Sequence, residues 1–194
     1  MRLNYEWEKT LIVSPHGDDA ILGATEFITT DCDYRPTNVL IIADKYSDQK
    51  LDTLPLIDIT RRIEEKIQEM VSDKSQLLIL IPPHEDRNED HRVVHRACLP
   101  AVRPYRHLYI STILEYSIIG STMSEWRPNY FMNISKADID LKEKLMLKNY
   151  PKEMGYPRDR KSLETFYRYW GLEVTPDYEF YEFVVPYKIL FMKG

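Results

Sequence analysis

The sequence predicts a single-domain α/β protein with a Rossmann-like (lactate-dehydrogenase-like), mostly parallel sheet that carries helices on both faces. First, short apolar runs of strand length alternate with longer segments of helical periodicity. Second, those runs are continuously apolar, which is typical of parallel strands buried on both faces. Third, a chain of 194 residues has the usual size of one domain. We therefore expect residues 1–194 to form one domain built from right-handed βαβ units.

The apolar runs predict four strands, and the segments between them predict three helices. The strands cover 10–13, 38–43, 76–81 and 108–114, and the helices cover 19–29, 60–71 and 92–99. The helix at 60–71 is amphipathic and is expected to pack on the sheet. Ligands of such sheets usually bind at the C-terminal ends of the strands, so the polar loops after 10–13 and 76–81 are the candidate site.

Beyond about residue 126 the alternation of strands and helices weakens. We expect helices at 135–150 and 163–170, followed by an added edge strand at 178–185 in which Tyr and Glu alternate. These segments are expected to complete the sheet and to form a wall of the pocket.

Composition and charge argue against several classes of protein. The net charge of −5 and the scattered basic residues provide no footprint for a nucleic-acid backbone, so we expect no nucleic-acid partner. No apolar run approaches the roughly 18 residues of a membrane span, and the N-terminus lacks the apolar core of a signal peptide. We therefore expect a cytoplasmic protein in which Cys32 and Cys98 are buried or incidental thiols. The sequence leaves open whether the protein forms a homo-oligomer.

The loop after the first predicted strand holds one imidazole and two carboxylates, on His16, Asp18 and Asp19. Histidine and aspartate are good zinc ligands, and a catalytic zinc typically has three protein ligands and one position for water. Of two adjacent carboxylates, one can bind the metal while the other acts as a general base. The alternative is a turn with a helix N-cap and an exposed histidine. The motif at 16–19 alone supports a metal site and a helix N-cap equally, but its position after a buried strand favours the metal site.

A second polar cluster, at 84–95, follows the strand at 76–81 and contains His84, His91 and His95. In a parallel sheet it is expected to reach the same edge as the first cluster. His91 and His95 have the spacing of a metal-binding pair on a helix, but that spacing is also that of a polar helix face, which we favour. For His84 we favour an exposed loop position over a substrate contact.

Two motifs resemble those of a known family. Residues 16–20 read His-Gly-Asp-Asp-Ala, and residues 86–91 read Asp-Arg-Asn-Glu-Asp-His. They resemble the motifs of the PIG-L/LmbE family of zinc-dependent N-deacetylases, which are approximately His-Pro-Asp-Asp-Glu and Asp-Arg-His-Pro-Asp-His. Weaker similarities lie at 60–65, at 128–135 with Lys142, and at 181–183. The two metal motifs together are fairly specific, and the resemblance covers most of the chain.

The resemblance implies one Zn²⁺ per chain, with His16, Asp19 and His91 as ligands and no other cofactor. It implies that Asp18 is the base that deprotonates the attacking water. The implied reaction is hydrolysis of an N-acetyl group on an amino sugar or an amino-sugar conjugate by metal-activated water. This is chemically coherent, because zinc lowers the pKa of water to about 7 and polarises an amide carbonyl.

Three positions depart from the family pattern. Ala20 replaces a glutamate, which removes a group expected to support the ligands, and Gly17 replaces a proline, which loosens the loop. Asn88 stands where many members have a histidine. An amide does not titrate, but it donates a hydrogen bond, so we expect Asn88 to stabilise an oxyanion without acting as a general acid.

Five further residues are candidates for binding substrate. The resemblance implies that the helix arginine, Arg61 or Arg62, helps to bind substrate, although two adjacent arginines are equally an ordinary solvated helix face. Aromatic rings stack on sugar faces, so Tyr46 and Trp126, together with Arg158, are candidate lining residues of a sugar pocket, although most of the 14 tyrosines are expected to be packing residues.

The sequence thus predicts a zinc-dependent N-deacetylase. Two alternatives stay open. The first is a sugar-binding or scaffolding member of the same fold with weakened or absent catalysis, which Ala20 and Asn88 suggest. The second is an amidohydrolase that acts on another small acylated amine.

Overall fold

The computed structural model describes residues 7–29, 36–45, 50–155, 157–174 and 183–193. These residues form a six-stranded sheet and five α-helices. In chain order the elements are β1 (Lys9–Ser14), α1 (Gly17–Thr29), β2 (Thr37–Ile41), α2 (Leu56–Met70), β3 (Leu77–Ile81), α3 (Glu89–Val102), β4 (Ile110–Tyr116), β5 (Tyr130–Ile134), α4 (Lys136–Asn149), α5 (Arg160–Val174) and β6 (Phe183–Met192). Short 3₁₀ turns lie at Ala43–Lys45, Leu51–Thr53 and Pro151–Glu153.

The sheet has the strand order β2-β1-β3-β4-β6-β5. Strands β2, β1, β3 and β4 are parallel to one another, whereas β6 is antiparallel to both β4 and β5. The α/β fold class with a mostly parallel sheet is therefore confirmed. The seven predicted elements up to residue 116 are all present, with ends that differ by a few residues.

Two apolar clusters cover the two faces of the sheet. In β1, Leu11 and Val13 belong to one cluster and Ile12 to the other, because successive side chains of a strand point to opposite faces. The first cluster includes residues of α2 and α3, and the second includes residues of α1, α4 and α5.

None of the helices in the described residues combines the length and the apolar character that crossing a bilayer requires.

The prediction of an edge strand at 178–185 is wrong in its position within the sheet. Strand β6 begins at Phe183 and lies between β4 and β5, and residues 178–182 lie outside the described part of the chain. The observed edge strand on this side is β5, which the sequence did not predict. The physical reason is that β6 continues as Ile189-Leu190-Phe191-Met192, a continuous apolar run typical of an interior strand.

Helix α1 is kinked, and side chains from two other helices form hydrogen bonds with its backbone at the kink. Ala24 has non-helical angles of φ −145° and ψ 21°. The carbonyl of Leu22 accepts hydrogen bonds from Lys142 Nζ at 2.9 Å and from the Tyr167 hydroxyl at 3.0 Å. Lys142 is fully buried and also lies 2.9 Å from Glu26 Oε1. The helix that carries the first motif is thus fixed to α4 and α5 by a buried polar network.

Candidate metal centre

The two polar clusters meet at one edge of the sheet. Strand β1 ends at Ser14, two residues before His16, and β3 ends at Ile81, before the loop that leads into α3. Because β1 and β3 are adjacent and parallel, both loops leave the sheet at its C-terminal edge. This topology brings His16, Asp19 and His91 together.

The ligand atoms of His16, Asp19 and His91 lie within 4.8 Å of one another. Asp19 Oδ2 is 3.2 Å from His16 Nδ1 and 3.2 Å from His91 Nε2. Two ligands that are each about 2 Å from a tetrahedral metal are about 3.3 Å apart, so these spacings suit a zinc-sized ion. The side chains of Asp19 and His91 are buried, whereas that of His16 is 34% exposed, which leaves one open side. The donor set fits the metal that the sequence predicts.

The electrostatics of the three side chains are strongly coupled. Burial alone disfavours the charged form of His91, but hydrogen bonds with the Asp19 and Asp86 carboxylates outweigh it and raise the pKa of His91 to about 9. Hydrogen bonding with Asp19 likewise raises the pKa of His16. Burial opposes ionisation of Asp19, yet its two histidine partners hold its pKa well below the usual range. The carboxylate is therefore ionised at neutral pH, as a metal ligand must be.

Two further aspartates contact the histidine ring nitrogens that face away from the candidate metal position. Asp86 Oδ1 is 3.2 Å from His91 Nδ1, and Asp86 also accepts a hydrogen bond from the Ser121 hydroxyl at 2.9 Å. Asp90 Oδ2 is 3.2 Å from His16 Nε2. Carboxylates in this position fix the ring and the tautomer of a metal-binding histidine. The sequence reading assigned no role to Asp86 or Asp90, although both belong to the second motif.

Asp18 lies beside the three ligands at the start of α1 and is 7% exposed. Its Oδ2 accepts a hydrogen bond from Arg158 Nη1 at 2.7 Å. Burial and repulsion from Asp19 raise the pKa of Asp18, and Arg158 opposes this rise. Arg158 therefore reaches the site, where it holds the candidate base. Whether it also binds substrate stays a prediction.

Asn88 is the N-cap of α3. Its side-chain oxygen accepts a hydrogen bond from the Asp90 backbone N–H at 3.0 Å. Its Nδ2 is 3.2 Å from His91 Nε2. The amide thus turns its acceptor to the helix and its donor to the candidate metal centre.

Tyr150 is a site residue that the sequence reading missed. A Cβ atom built on Gly17 would lie 1.7 Å from the Tyr150 hydroxyl oxygen, so only glycine leaves room for this hydroxyl. Burial, followed by the nearby carboxylates of Asp44, Asp18 and Asp19, raises the pKa of Tyr150. Gly17 therefore has a packing partner at the end of α4, for which the sequence carries no signal.

Ala20 does not face this centre. It is 2% exposed and belongs to the apolar cluster of α1, α4 and α5, so its methyl group contributes to the core. A glutamate there would place a carboxylate among apolar side chains unless it turned elsewhere.

Three of the other candidate substrate residues make contacts with residues outside this centre. Arg61 is largely exposed and lies 3.8 Å from Asp58 on its own helix, and Arg62 donates a hydrogen bond to the Ile41 carbonyl at 3.1 Å. Trp126 is buried, with its indole N–H bonded to Glu115. Tyr46 lies outside the described residues. Substrate contacts by these four residues stay predictions.

His95 does not pair with His91 and does not lie on a polar helix face, in contrast to the expectation from its spacing. It is 5% exposed, and with His84 and Glu115 it forms a second group of metal-type side chains within the described residues. The reason is that β4 places Glu115 beneath α3, where the carboxylate faces the imidazole. The side chain of His84 is 50% exposed, in agreement with a loop position.

Comparison with solved structures identifies the fold, whereas comparison with protein families and with curated proteins finds no match. No family model matches this chain. No curated protein matches it either.

Solved structures, by contrast, are similar over almost the whole chain. GalB, the 4-carboxy-2-hydroxymuconate hydratase from Pseudomonas putida KT2440, is 13% identical, with 96% of this chain and 98% of that chain covered and a TM-score of 0.69. The N,N'-diacetylchitobiose deacetylase from Pyrococcus horikoshii is 14% identical, with 95% and 84% covered and a TM-score of 0.63. The zinc-inhibited form of teicoplanin deacetylase Orf2 is 13% identical, with 93% and 98% covered and a TM-score of 0.58. The chain therefore has the fold found in these sugar and glycopeptide deacetylases and in a hydratase.

Proposed function

We propose that the protein is a zinc-dependent hydrolase that removes an N-acetyl group from an amino sugar or an amino-sugar conjugate. The observation that carries the proposal is the convergence of His16, Asp19 and His91, from two distant segments of the chain, on a position suited to one metal ion. The buried carboxylate of Asp18 next to this position supplies a base. The resemblance to the PIG-L/LmbE motifs and the deacetylases among the structural neighbours support the same reaction.

In this proposal His16, Asp19 and His91 hold the zinc ion, while Asp86 and Asp90 keep the two imidazoles in the orientation that binding requires. A bound zinc ion would supply a Lewis acid that lowers the pKa of water and polarises the amide carbonyl. The partly exposed side of His16 is the direction from which substrate enters.

The protein residues then move protons and stabilise charge. Asp18 accepts a proton from the attacking water, and Arg158 holds its carboxylate in place. The Asn88 amide N–H donates a hydrogen bond to the oxygen that gains negative charge. When the C–N bond breaks, Asp18 returns the proton to the leaving amine, so that water and amide yield acetate and amine.

The proposal is tested by measuring acetate release from N-acetylglucosamine and N,N'-diacetylchitobiose by the purified full chain. We expect release that is lost after treatment with a chelator and restored by stoichiometric Zn²⁺. A protein loaded with zinc that releases no acetate from any N-acetylated sugar of a broad panel would contradict the deacetylase assignment. Release of formate or of a longer acid from other acylated amines would place the activity on another amide.

A hydratase is a second candidate, because GalB is among the solved structures with the same fold. Both reactions require a base beside an activated water, which Asp18 supplies in this chain. They differ in the acceptor, which is an amide carbonyl in one and a carbon–carbon double bond in the other. Loss of absorbance from an unsaturated tricarboxylate without release of an amine would favour the hydratase.

A further inference from the structure

A second set of metal-binding side chains lies one strand away from the candidate centre. His84 follows β3, Glu115 is in β4, and His95 is in α3, one helical turn beyond His91. Their ligand atoms lie within 4.8 Å of one another. Glu115 Oε1 is 3.2 Å from His84 Nδ1, close to the separation of about 3.3 Å between two ligands of a tetrahedral zinc, and it also lies 3.5 Å from the His95 ring at Nδ1.

The outer contacts of this set are those expected around bound metal ligands. The backbone carbonyl of Pro82 can only accept, so His95 Nδ1–H donates to it at 2.9 Å and leaves Nε2 with a free lone pair. Trp126 Nε1–H donates to Glu115 Oε2 at 2.8 Å, which fixes the carboxylate through one oxygen and leaves Oε1 facing the histidines. Hydrogen bonds of this kind, made to atoms that do not bind the metal, fix the orientation of ligand side chains.

Two carboxylates and one lysine surround the histidines of this set. Glu115 is fully buried, and Glu85 Oε2 lies 2.7 Å from His84 Nδ1. Against these two carboxylates the described residues place Lys188, whose Nζ is 3.5 Å from Glu85 and 3.6 Å from Glu115. The buried carboxylate of Glu115 thus faces two imidazoles and one lysine, and carboxylate with imidazole is a donor combination that binds zinc.

We propose that His84, His95 and Glu115 form a second site for a divalent transition metal of the zinc class. Two imidazoles with one carboxylate suit zinc better than magnesium or calcium, which prefer oxygen ligands alone. The site joins β4, α3 and the loop between β3 and α3. This loop also carries Asp86, which contacts His91. A metal ion bound at the second site would therefore also restrict the loop that orients a ligand of the first site.

The proposal is tested by zinc stoichiometry. Full-length protein is stripped of metal and titrated with Zn²⁺ against a chromophoric chelator, and binding of Co²⁺ is followed by its absorption spectrum. We expect wild type to bind two ions per chain. His84→Ala and Glu115→Gln should each lose one ion, and His91→Ala should lose the other. His107→Ala, at an exposed histidine outside both sets, is the matched control and should keep both.

Two results would overturn the second site. One is unchanged stoichiometry and affinity in both His84→Ala and Glu115→Gln, with circular dichroism showing that both variants are folded. If Glu115→Gln fails to fold, the half-exposed His84 decides alone, because its side chain tolerates truncation. The other is a wild-type protein that binds a single ion, lost in His91→Ala and kept in His84→Ala.

Lys188→Gln separates a metal site from a plain ion-pair network. Removing a positive charge beside a cation should tighten Zn²⁺ binding at this site, by about tenfold. In a network without metal the same change weakens stability and leaves zinc affinity unchanged, which would count against the proposal. A protein that loses its one ion in His84→Ala but not in His91→Ala would support the second site and contradict the proposed catalytic centre.

Discussion

Asn88 serves two purposes through the two ends of one amide. Its oxygen caps α3, and its nitrogen faces the atom of His91 that is turned to the candidate metal. A histidine in this position has no carboxamide oxygen with which to cap the helix in this way. Asparagine at this position therefore has no titratable group and directs a hydrogen-bond donor at the candidate metal centre.

Asn88→Asp should separate these two purposes. The variant keeps a side-chain acceptor for the helix cap but lacks the N–H donor, so kcat is expected to fall by about 10²–10³ with little change in KM. Asn88→Ser also caps the helix and adds no charge, which tests whether the loss comes from the negative charge that the first variant introduces. Full kcat in both variants, measured by acetate release, would exclude an oxyanion role for Asn88.

Asp18→Asn should remove the base and keep the metal. Because Asp18 is not among the three converging ligands, we expect turnover to fall by about 10²-fold or more while zinc content, measured by atomic absorption, is unchanged. Glu153→Gln is the control, since Glu153 is the other carboxylate that contacts Arg158, at 3.2 Å. If Asp18→Asn retains turnover, the base has been assigned to the wrong residue.

Gly17→Ala should reveal the packing of Tyr150 against the first motif. The added methyl group overlaps the tyrosine hydroxyl, so the free energy of unfolding is expected to fall by about 1–3 kcal/mol. In the double variant Gly17→Ala with Tyr150→Ala the overlap is gone, and the two changes should cost less than the sum of their separate effects. Additive losses in denaturant titrations would show that Tyr150 does not occupy this space.

At the scale of elements, α1 depends on contacts that close its kink. The non-helical angles at Ala24 interrupt the normal hydrogen-bond pattern, and Lys142 from α4 and Tyr167 from α5 satisfy the carbonyl of Leu22. The N-terminus of α1 carries Asp18 and Asp19, so the network that fixes this helix also fixes the candidate base and one ligand.

Lys142→Met should destabilise the protein strongly although it conserves volume. The change leaves the buried Glu26 carboxylate without its lysine, which typically costs about 3–5 kcal/mol. Adding Glu26→Gln removes the uncompensated charge and should recover part of the loss. The measurement is chemical denaturation, and a loss below about 1 kcal/mol, the size of a surface pair, would contradict a buried ion pair.

The elements that the sequence predicted well are those whose pattern is local. Continuous apolar runs gave β1, β3 and β4, because such runs are typical of strands covered on both faces. The place of β6 between β4 and β5 depends on pairing between distant segments, and no local pattern records it. Strand β5, in which the burial of Tyr130–Ile134 is only partial, lacks the continuous apolar character that revealed the others.

At the scale of the whole molecule, the sheet topology explains which parts of the site were predictable. His16, Asp19 and His91 follow adjacent parallel strands, so the strand pattern and the motifs together placed them at one edge. Arg158 and Tyr150 arrive from the region between α4 and α5, whose position relative to the sheet is set by long-range packing. Arg158 was proposed as a sugar contact, and its hydrogen bond to Asp18 had no sequence signal.

The central claim is that His16, Asp19 and His91 bind one zinc ion. It is tested most directly by an anomalous difference map, recorded at the zinc absorption edge from crystals of the protein loaded with Zn²⁺. We predict a peak about 2 Å from His16 Nδ1, Asp19 Oδ2 and His91 Nε2. Zinc-loaded crystals without a peak between these three atoms would contradict it.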